Sequence, residues 1–316
     1  HGEYMVSELD ESDGSFELFS CHIPVITNID WDHVNFYPTF QSVQDAFVRF
    51  LSNRKDGGKI VMCGEDAGCQ SVSKLFAPHC ITYGWGKHWN WGAVDVNHSI
   101  GGGVTFTAIR EGKEMGRLAL RVSGEHNVLN ALAACAVGDL LNIDFGIVQK
   151  ALYNFKGTKR RLQCLGISNG IYFYDDYGHH PREIRATLDT LRNIFPSHRL
   201  VVIFQPHRYT RTKAMYAKFA EVLANADVVY ILPVYPADEK LEESISSDLI
   251  TNCLVNEYGH ERCLSVSEGE VVAKVADELL PGDILLTLGA GNVNVYGNQI
   301  FNVIASNLRR QGMVSI

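Results

Sequence analysis

The sequence predicts an α/β protein in two domains, residues 1–155 and 156–316, on three observations. Its 316 residues, 46% hydrophobic and 20% charged, fit two domains of about 100 to 200 residues better than one. From Ile171 onward, short apolar runs alternate with helical patterns, which is the signature of a parallel sheet with helices on both faces. Between the halves lies Lys156-Gly157-Thr158-Lys159-Arg160-Arg161, polar, basic and glycine-containing, suited to a linker or hinge.

In the first domain the pattern gives a strand at Glu3 to Glu8, a turn at Asp10 to Ser15 and a strand at Pro24 to Asn28. A helix at Gln44 to Asn53, a strand at Ile60 to Cys63, a short helix and a strand at Ile81 to Gly84 follow. Val104 to Arg110 and Gly116 to Val122 alternate apolar and polar residues around Glu111-Gly112-Lys113, a hairpin signature. The segment His126 to Leu141 is Ala-rich and apolar on nearly all faces, so it reads as a helix packed against close neighbours. Phe145 to Phe155 is a second helix. In the second domain, strands at Ile171 to Tyr174, Leu200 to Phe204, Val228 to Leu232 and Ile284 to Leu288 alternate with four helices. These lie near Arg182 to Ile194, Thr212 to Ala224, Ser244 to Val255 and Glu268 to Leu280, and a last helix spans Val295 to Arg309.

The net charge of -8 gives no general pull toward nucleic acid or an anionic membrane, so any phosphate site must be built from a few local cations. No apolar run approaches the ~18 residues needed to cross a bilayer, and the amino end lacks the basic-then-apolar order of a signal peptide. Eight spread cysteines without a C-x-x-C pair suggest neither a zinc site nor a disulfide scaffold. Reduced, mostly buried thiols and a cytoplasmic location are expected.

Two strings concentrate chemistry at strand ends: DDYGHHP (Asp175 to Pro181) and FQPHRYTRT (Phe204 to Thr212). In open α/β sheets ligands bind beyond the carboxyl ends of parallel strands, so these side chains are expected to face one crevice. Arg208 and Arg211 share a face if the chain turns helical there, and two such cations hold a carboxylate. His179, His180 and His207 either orient groups and carry protons or serve as surface and capping residues.

Elsewhere Glu8, Asp10, Glu11 and Asp13, with Asp30, Asp32 and His33, stand at two strand ends as either a cation site or a solvated acidic turn. At the start of the Ala-rich helix, His126, Asn127 and Asn130 offer polar edges suited to adenine, though spacing alone favours Asn127 as a helix cap. Arg160 and Arg161 either close over phosphate or decorate a solvated linker. The turn GAGN (Gly289 to Asn292) lacks the third glycine of G-x-G-x-x-G, and a tight strand-to-helix turn suffices for it. Trp85, Trp89 and Trp91, with His88, read as loop-edge packing ahead of base stacking.

DESDGSF, TNIDWDH, GEHNVLNALAA, GTKRR, DDYGHHP, FQPHRYTRT and GAGN occur in the order found in the ATP-dependent Mur ligases of peptidoglycan precursor synthesis. The chain resembles that family over essentially its whole length, and the pairing of DDYGHHP with FQPHRYTRT resembles its alanine-adding branch. The resemblance implies a central ATPase-type domain, incomplete and with a β-rich part, followed by a Rossmann-like domain that binds an amino acid. It implies ATP and Mg²⁺ as cofactors, UDP-N-acetylmuramate and L-alanine as substrates, and no nucleic-acid or membrane partner. Matched position by position, Glu11 and His33 are the magnesium-associated residues, and His126, Asn127, Asn130, Arg161 and Asp176 are the nucleotide contacts. Tyr177, His179, His207, Arg208 and Arg211 surround the amino acid and the acceptor's carboxyl end, with His179, Arg208 and Arg211 as the catalytic group. Where other branches often carry a carbamylated lysine this sequence reads AFVRF (Ala46 to Phe50), so none is assigned.

The family's UDP-binding domain and its G-x-x-G-K-T-T phosphate loop have no counterpart in these 316 residues. The expectation is therefore a ligase fragment with negligible activity of its own. The alternatives are a ligase that recycles murein tripeptide, which FQPHRYTRT argues against, and a nonenzymatic binding remnant or partner subunit.

Overall fold

The computed structural model describes residues 3–33, 36–99 and 102–310, with only the backbone of 308–310. The backbone gathers into two compact units, His1–Lys156 and Gly157–Ile316.

The sheet of the first unit runs β1 (Val25–Ile26), β2 (Ile60–Cys63), β3 (Cys80–Trp85), β4 (Trp91–His98), β5 (Val104–Arg110) and β6 (Lys113–Leu120) in chain order. Strands β1 to β4 are parallel, whereas β5 and β6 form antiparallel pairs with their neighbours. Helices α1 (Phe40–Ser52), α2 (Ala67–Ser73), α3 (Glu125–Leu140) and α4 (Phe145–Asn154) complete the unit. As its composition predicts, α3 buries Val128, Ala131, Leu132, Ala133, Cys135 and Ala136, and it packs against β2 to β5.

Several expectations change here: the first helix starts at Phe40 rather than Gln44, and the strand expected at Pro24 to Asn28 shortens to Val25–Ile26. Glu3 to Glu8 forms no strand; Tyr4, Met5 and Val6 are 60%, 90% and 96% exposed, and a strand pattern without a neighbouring strand has no ladder to join. The hairpin strand starts at Lys113, three residues before the expected Gly116, because Glu111 and Gly112 both take positive φ as a two-residue turn and Gly116 sits inside the strand at a bulge. Strand β4 lies where loop-edge packing was expected. It runs parallel to β3 after only five connecting residues, a close return that Gly92 permits: a Cβ there would lie 1.8 Å from the Gly86 carbonyl oxygen.

The second unit has the strand order β11-β10-β9-β12-β8-β7. These are β7 (Gln163–Ser168), β8 (Ile171–Asp176), β9 (Leu200–Phe204), β10 (Val228–Ile231), β11 (Cys263–Ser265) and β12 (Ile284–Leu288). All pair in parallel except β7, which is antiparallel to β8. Helices α5 (Pro181–Ile194), α6 (Tyr209–Leu223), α7 (Asp248–Tyr258), α8 (Val271–Glu278) and α9 (Val293–Arg310) alternate with them. Because β12 inserts between β9 and β8, the strand order reverses there and opens a switch-point crevice at their carboxyl ends. DDYGHHP leaves β8, FQPHRYTRT leaves β9 and GAGN leaves β12, so all three strings reach that crevice.

Candidate functional site

Buried, fully used carboxylates set the floor of the second unit's crevice. Asp175 is 1% exposed; it accepts the Thr287 hydroxyl at 2.6 Å and pairs with Arg160 Nε at 3.2 Å. Asp176 accepts the backbone N–H of Leu162 at 2.6 Å and of Gly178 at 2.7 Å, fixing the turn that follows β8. Burial raises its pKa above the ordinary carboxylate value, against those two hydrogen bonds.

The wall above that turn is Tyr177, His179 and the start of α5. His180 caps α5 in a reciprocal box with Glu183, and Pro181 occupies the first helical turn, where its missing N–H costs nothing. Glu183 accepts the N–H groups of His179 and His180 at 3.0 and 3.2 Å and the Arg161 guanidinium at 3.2 Å. Burial pushes its pKa up, but His179 and Arg161 outweigh burial and leave it below the ordinary value. Tyr177 meets His179 edge-on at 5.3 Å and lies 5.8 Å under the Arg161 guanidinium.

The opposite wall continues β9 in extended form. His207 bridges to Tyr235, and the two rings stack at 5.5 Å with 9° between their planes. The Arg208 N–H donates to the Tyr235 carbonyl at 2.8 Å. Burial, His179, Arg211 and Arg208 together push the His207 pKa down to about 4, so the imidazole is neutral at neutral pH, and its Nδ1 is buried without a hydrogen-bond partner. Arg211 is 6% exposed in the first turn of α6. Arg208 is the residue before that helix, at φ 72°, so the two arginines do not share a helical face as their spacing suggested. Helix α6 starts at Tyr209 with Thr210, whose N–H and hydroxyl both bond Glu239.

Neither expectation for Arg160 holds. Its side chain is neither aimed at solvent nor left for phosphate, because its guanidinium also bonds the carbonyl oxygens of Gly289 at 2.6 Å and Gly291 at 3.1 Å. The GAGN turn therefore presents carbonyls to an arginine of its own unit. Gln205, fully buried, ties the same turn to β9 through Asn292 at 2.8 Å.

In the first unit Glu11 and His33 meet at 3.3 Å, and Asp32 stands 3.9 Å from the same imidazole nitrogen. Tyr37 links their loops: its hydroxyl donates to the Glu11 carbonyl at 2.8 Å and its N–H to the His33 carbonyl at 2.9 Å. Asp10 and Asp13 instead accept the N–H groups of Ser12 and Ser15, as in a local acidic turn. Among the described residues no group of three or more His, Cys, Asp or Glu side chains could hold a metal. One carboxylate beside an imidazole fits Mg²⁺ only where phosphates and waters supply most of its ligands.

At the start of α3 the cap is Gly124, at φ 101° and without a side-chain cap. Asn127 is therefore not the cap. It is the third helical residue, donating from Nδ2 to the Ser123 carbonyl at 2.8 Å and lying 3.1 Å from His126 Nε2. A helix start without a side-chain cap suits an anionic ligand. The tryptophans pack: Trp91 stacks on Phe145 at 6.2 Å, and Trp89 Nε1 donates to Glu65 at 2.9 Å.

Spacing pointed to most of these residues but not to Glu183, Tyr235, Gln205 or Glu239. Only Glu183 carried a signal, three residues after the histidine that caps α5. Tyr235 reaches His207 from the loop that follows β10, which no local pattern reveals.

Residues 1–138 match the family model of the Mur ligase middle domain, and residues 160–291 match the Mur ligase, glutamate ligase domain. A UDP-N-acetylmuramate--L-alanine ligase of Desulforapulum autotrophicum is 37% identical over 96% of this chain, and one of Geobacter sp. strain M21 is 40% identical over 92%. The chain spans 66% and 63% of those proteins. The crystal structure of the UDP-N-acetylmuramate-alanine ligase from Thermotoga maritima matches with a TM-score of 0.75 at 28% identity, over 95% of this chain and 63% of that one. The two domain models together match most of the chain, the relatives align with nearly all of it, and the chain belongs to the Mur ligase family.

Proposed function

We propose that the chain carries the nucleotide, magnesium and amino-acid parts of an ATP-dependent ligase that joins L-alanine to UDP-N-acetylmuramate in peptidoglycan synthesis. The observation that carries this reading is the crevice where His179, a neutral His207, Arg208 and Arg211 gather, in a chain whose relatives are named for that reaction. Arg208 and Arg211 hold a substrate carboxylate, and His207 accepts a hydrogen bond from the incoming amine, which a protonated imidazole could not do. Tyr177 and His179 shape the wall beside them. Glu11 and His33 are the residues for Mg²⁺; for ATP they are His126, Asn127 and Asn130 in the first unit and, in the second, Arg161 with the turn that Asp176 fixes through its two backbone hydrogen bonds.

ATP supplies the phosphoryl group that activates the acceptor carboxylate as an acyl phosphate, and the alanine amine then displaces phosphate. Such chemistry depends on positioning and charge control rather than a protein nucleophile. These 316 residues contain no G-x-x-x-x-G-K-[ST] loop. Loss of one preorganised donor commonly costs ~10²- to 10³-fold in rate, so by themselves they are expected to ligate negligibly. Eight free cysteines support a reducing, cytoplasmic setting.

The test is phosphate release from ATP and UDP-N-acetylmuramate by a chimera in which the amino-terminal part of the Thermotoga maritima ligase precedes this chain. Alanine-dependent release is expected, with little response to murein tripeptide. Preference for the tripeptide would favour the recycling reaction, and a chimera that binds substrates without release would favour a binding module.

A further inference from the structure

Arg160 joins three separate pieces of the crevice rim. Its Nε reaches Asp175 at 3.2 Å, while Nη1 and Nη2 reach the Gly291 and Gly289 carbonyls at 3.1 and 2.6 Å. Its own carbonyl accepts the Tyr177 N–H at 2.6 Å, and its guanidinium lies 4.9 Å over the Tyr177 ring. The far oxygen of Asp175 is already taken by Thr287, so the carboxylate is braced on both sides. The ends of β8 and β12 and the segment carrying Arg161 are thus tied through one side chain.

We infer that Arg160 is a positioning residue that sets the Tyr177 ring and the GAGN turn as walls of the amino-acid pocket. The inference rests on the reading of this crevice as the alanine site. Arginine suits the role because one planar fork can meet a carboxylate and two carbonyls at once; a lysine ammonium is a point charge without that span. Residue 160 also sits at φ 57°, which directs the chain so that its side chain and carbonyl serve the same turn.

The experiment compares the unsubstituted chain with Arg160→Lys and Arg160→Met. L-alanine affinity is measured by calorimetry well below the melting midpoint, and amide exchange is followed residue by residue. Arg160→Lys keeps the charge opposite Asp175; it is expected to fold, to weaken alanine by about 10- to 100-fold, and to speed exchange at Tyr177 and residues 289–292 while β9 and β10 stay protected. Arg160→Met is expected to lose at least as much affinity, and the lysine variant decides if the methionine variant does not fold. Unchanged alanine affinity in a folded variant overturns the inference, whatever its melting midpoint. If the unsubstituted chain binds no alanine, the pocket reading fails; the positioning role is then upheld by faster exchange at Tyr177 in Arg160→Lys and overturned by unchanged exchange.

Discussion

His207 shows how one residue's surroundings fix its chemistry. Stacked on Tyr235 and next to His179, Arg208 and Arg211, its imidazole titrates near 4 rather than at the ordinary 6.5. Below 6.5 the unfolded chain takes up a proton that the folded chain refuses until about 4, so this residue makes stability fall as pH drops through that window. His207→Phe keeps the stack and removes the titration, and denaturant midpoints between pH 6.5 and 4 should decline less steeply than in the unsubstituted chain. Parallel profiles would show that His207 does not carry the effect. Arg211 tests the other half of the pocket. Buried and placed beside His207, it is expected to hold a carboxylate, so Arg211→Ala should weaken L-alanine by at least about 10-fold and leave ATP affinity nearly unchanged. Equal loss for both ligands would indicate damage to the fold instead.

Helix α5 illustrates the same logic one level up. Its start is held by His180, Pro181 and Glu183, and Glu183 also gathers His179 and Arg161. Glu183→Gln should cost about 1 kcal/mol in denaturant unfolding. The carboxylate is held below its ordinary 4.5, so its stabilising contribution is present above that value and lost as pH falls through the lower folded value. The glutamine variant should lack that part of the acid limb. In the first unit, Gly92→Ala places a methyl 1.8 Å from a backbone carbonyl that cannot rotate away, and a loss of about 3 kcal/mol is expected in thermal melts. Strands β2, β5, β9 and β12 have the ends their patterns predict, because apolar or alternating runs bounded by turn residues declare themselves locally. Strands β4, β7 and β11 were not legible. A tryptophan-rich turn masks β4, Gly166 interrupts β7 at a register shift, and β11 is only three residues on a sheet edge.

On the scale of the whole molecule, each sheet has buried apolar packing of its own, around Phe106, Met62 and Leu132 in the first unit and around Phe173, Tyr230 and Ile300 in the second. Residues 157–316 produced alone are expected to melt cooperatively, as a unit with its own buried core should. A broad, non-cooperative melt would show that the second core needs the first unit. The α/β class, the alternation of the second half and the strings that carry its chemistry can be read along the chain, because composition and periodicity are local properties written in neighbouring residues. That β12 enters between β8 and β9, that Tyr235 stacks on His207, that Arg208 stands just before α6 and that Arg160 is committed to the GAGN turn emerge only once the chain is folded. Those contacts join residues up to 131 positions apart, and such pairings follow from how the sheet closes its core rather than from any pattern along the chain.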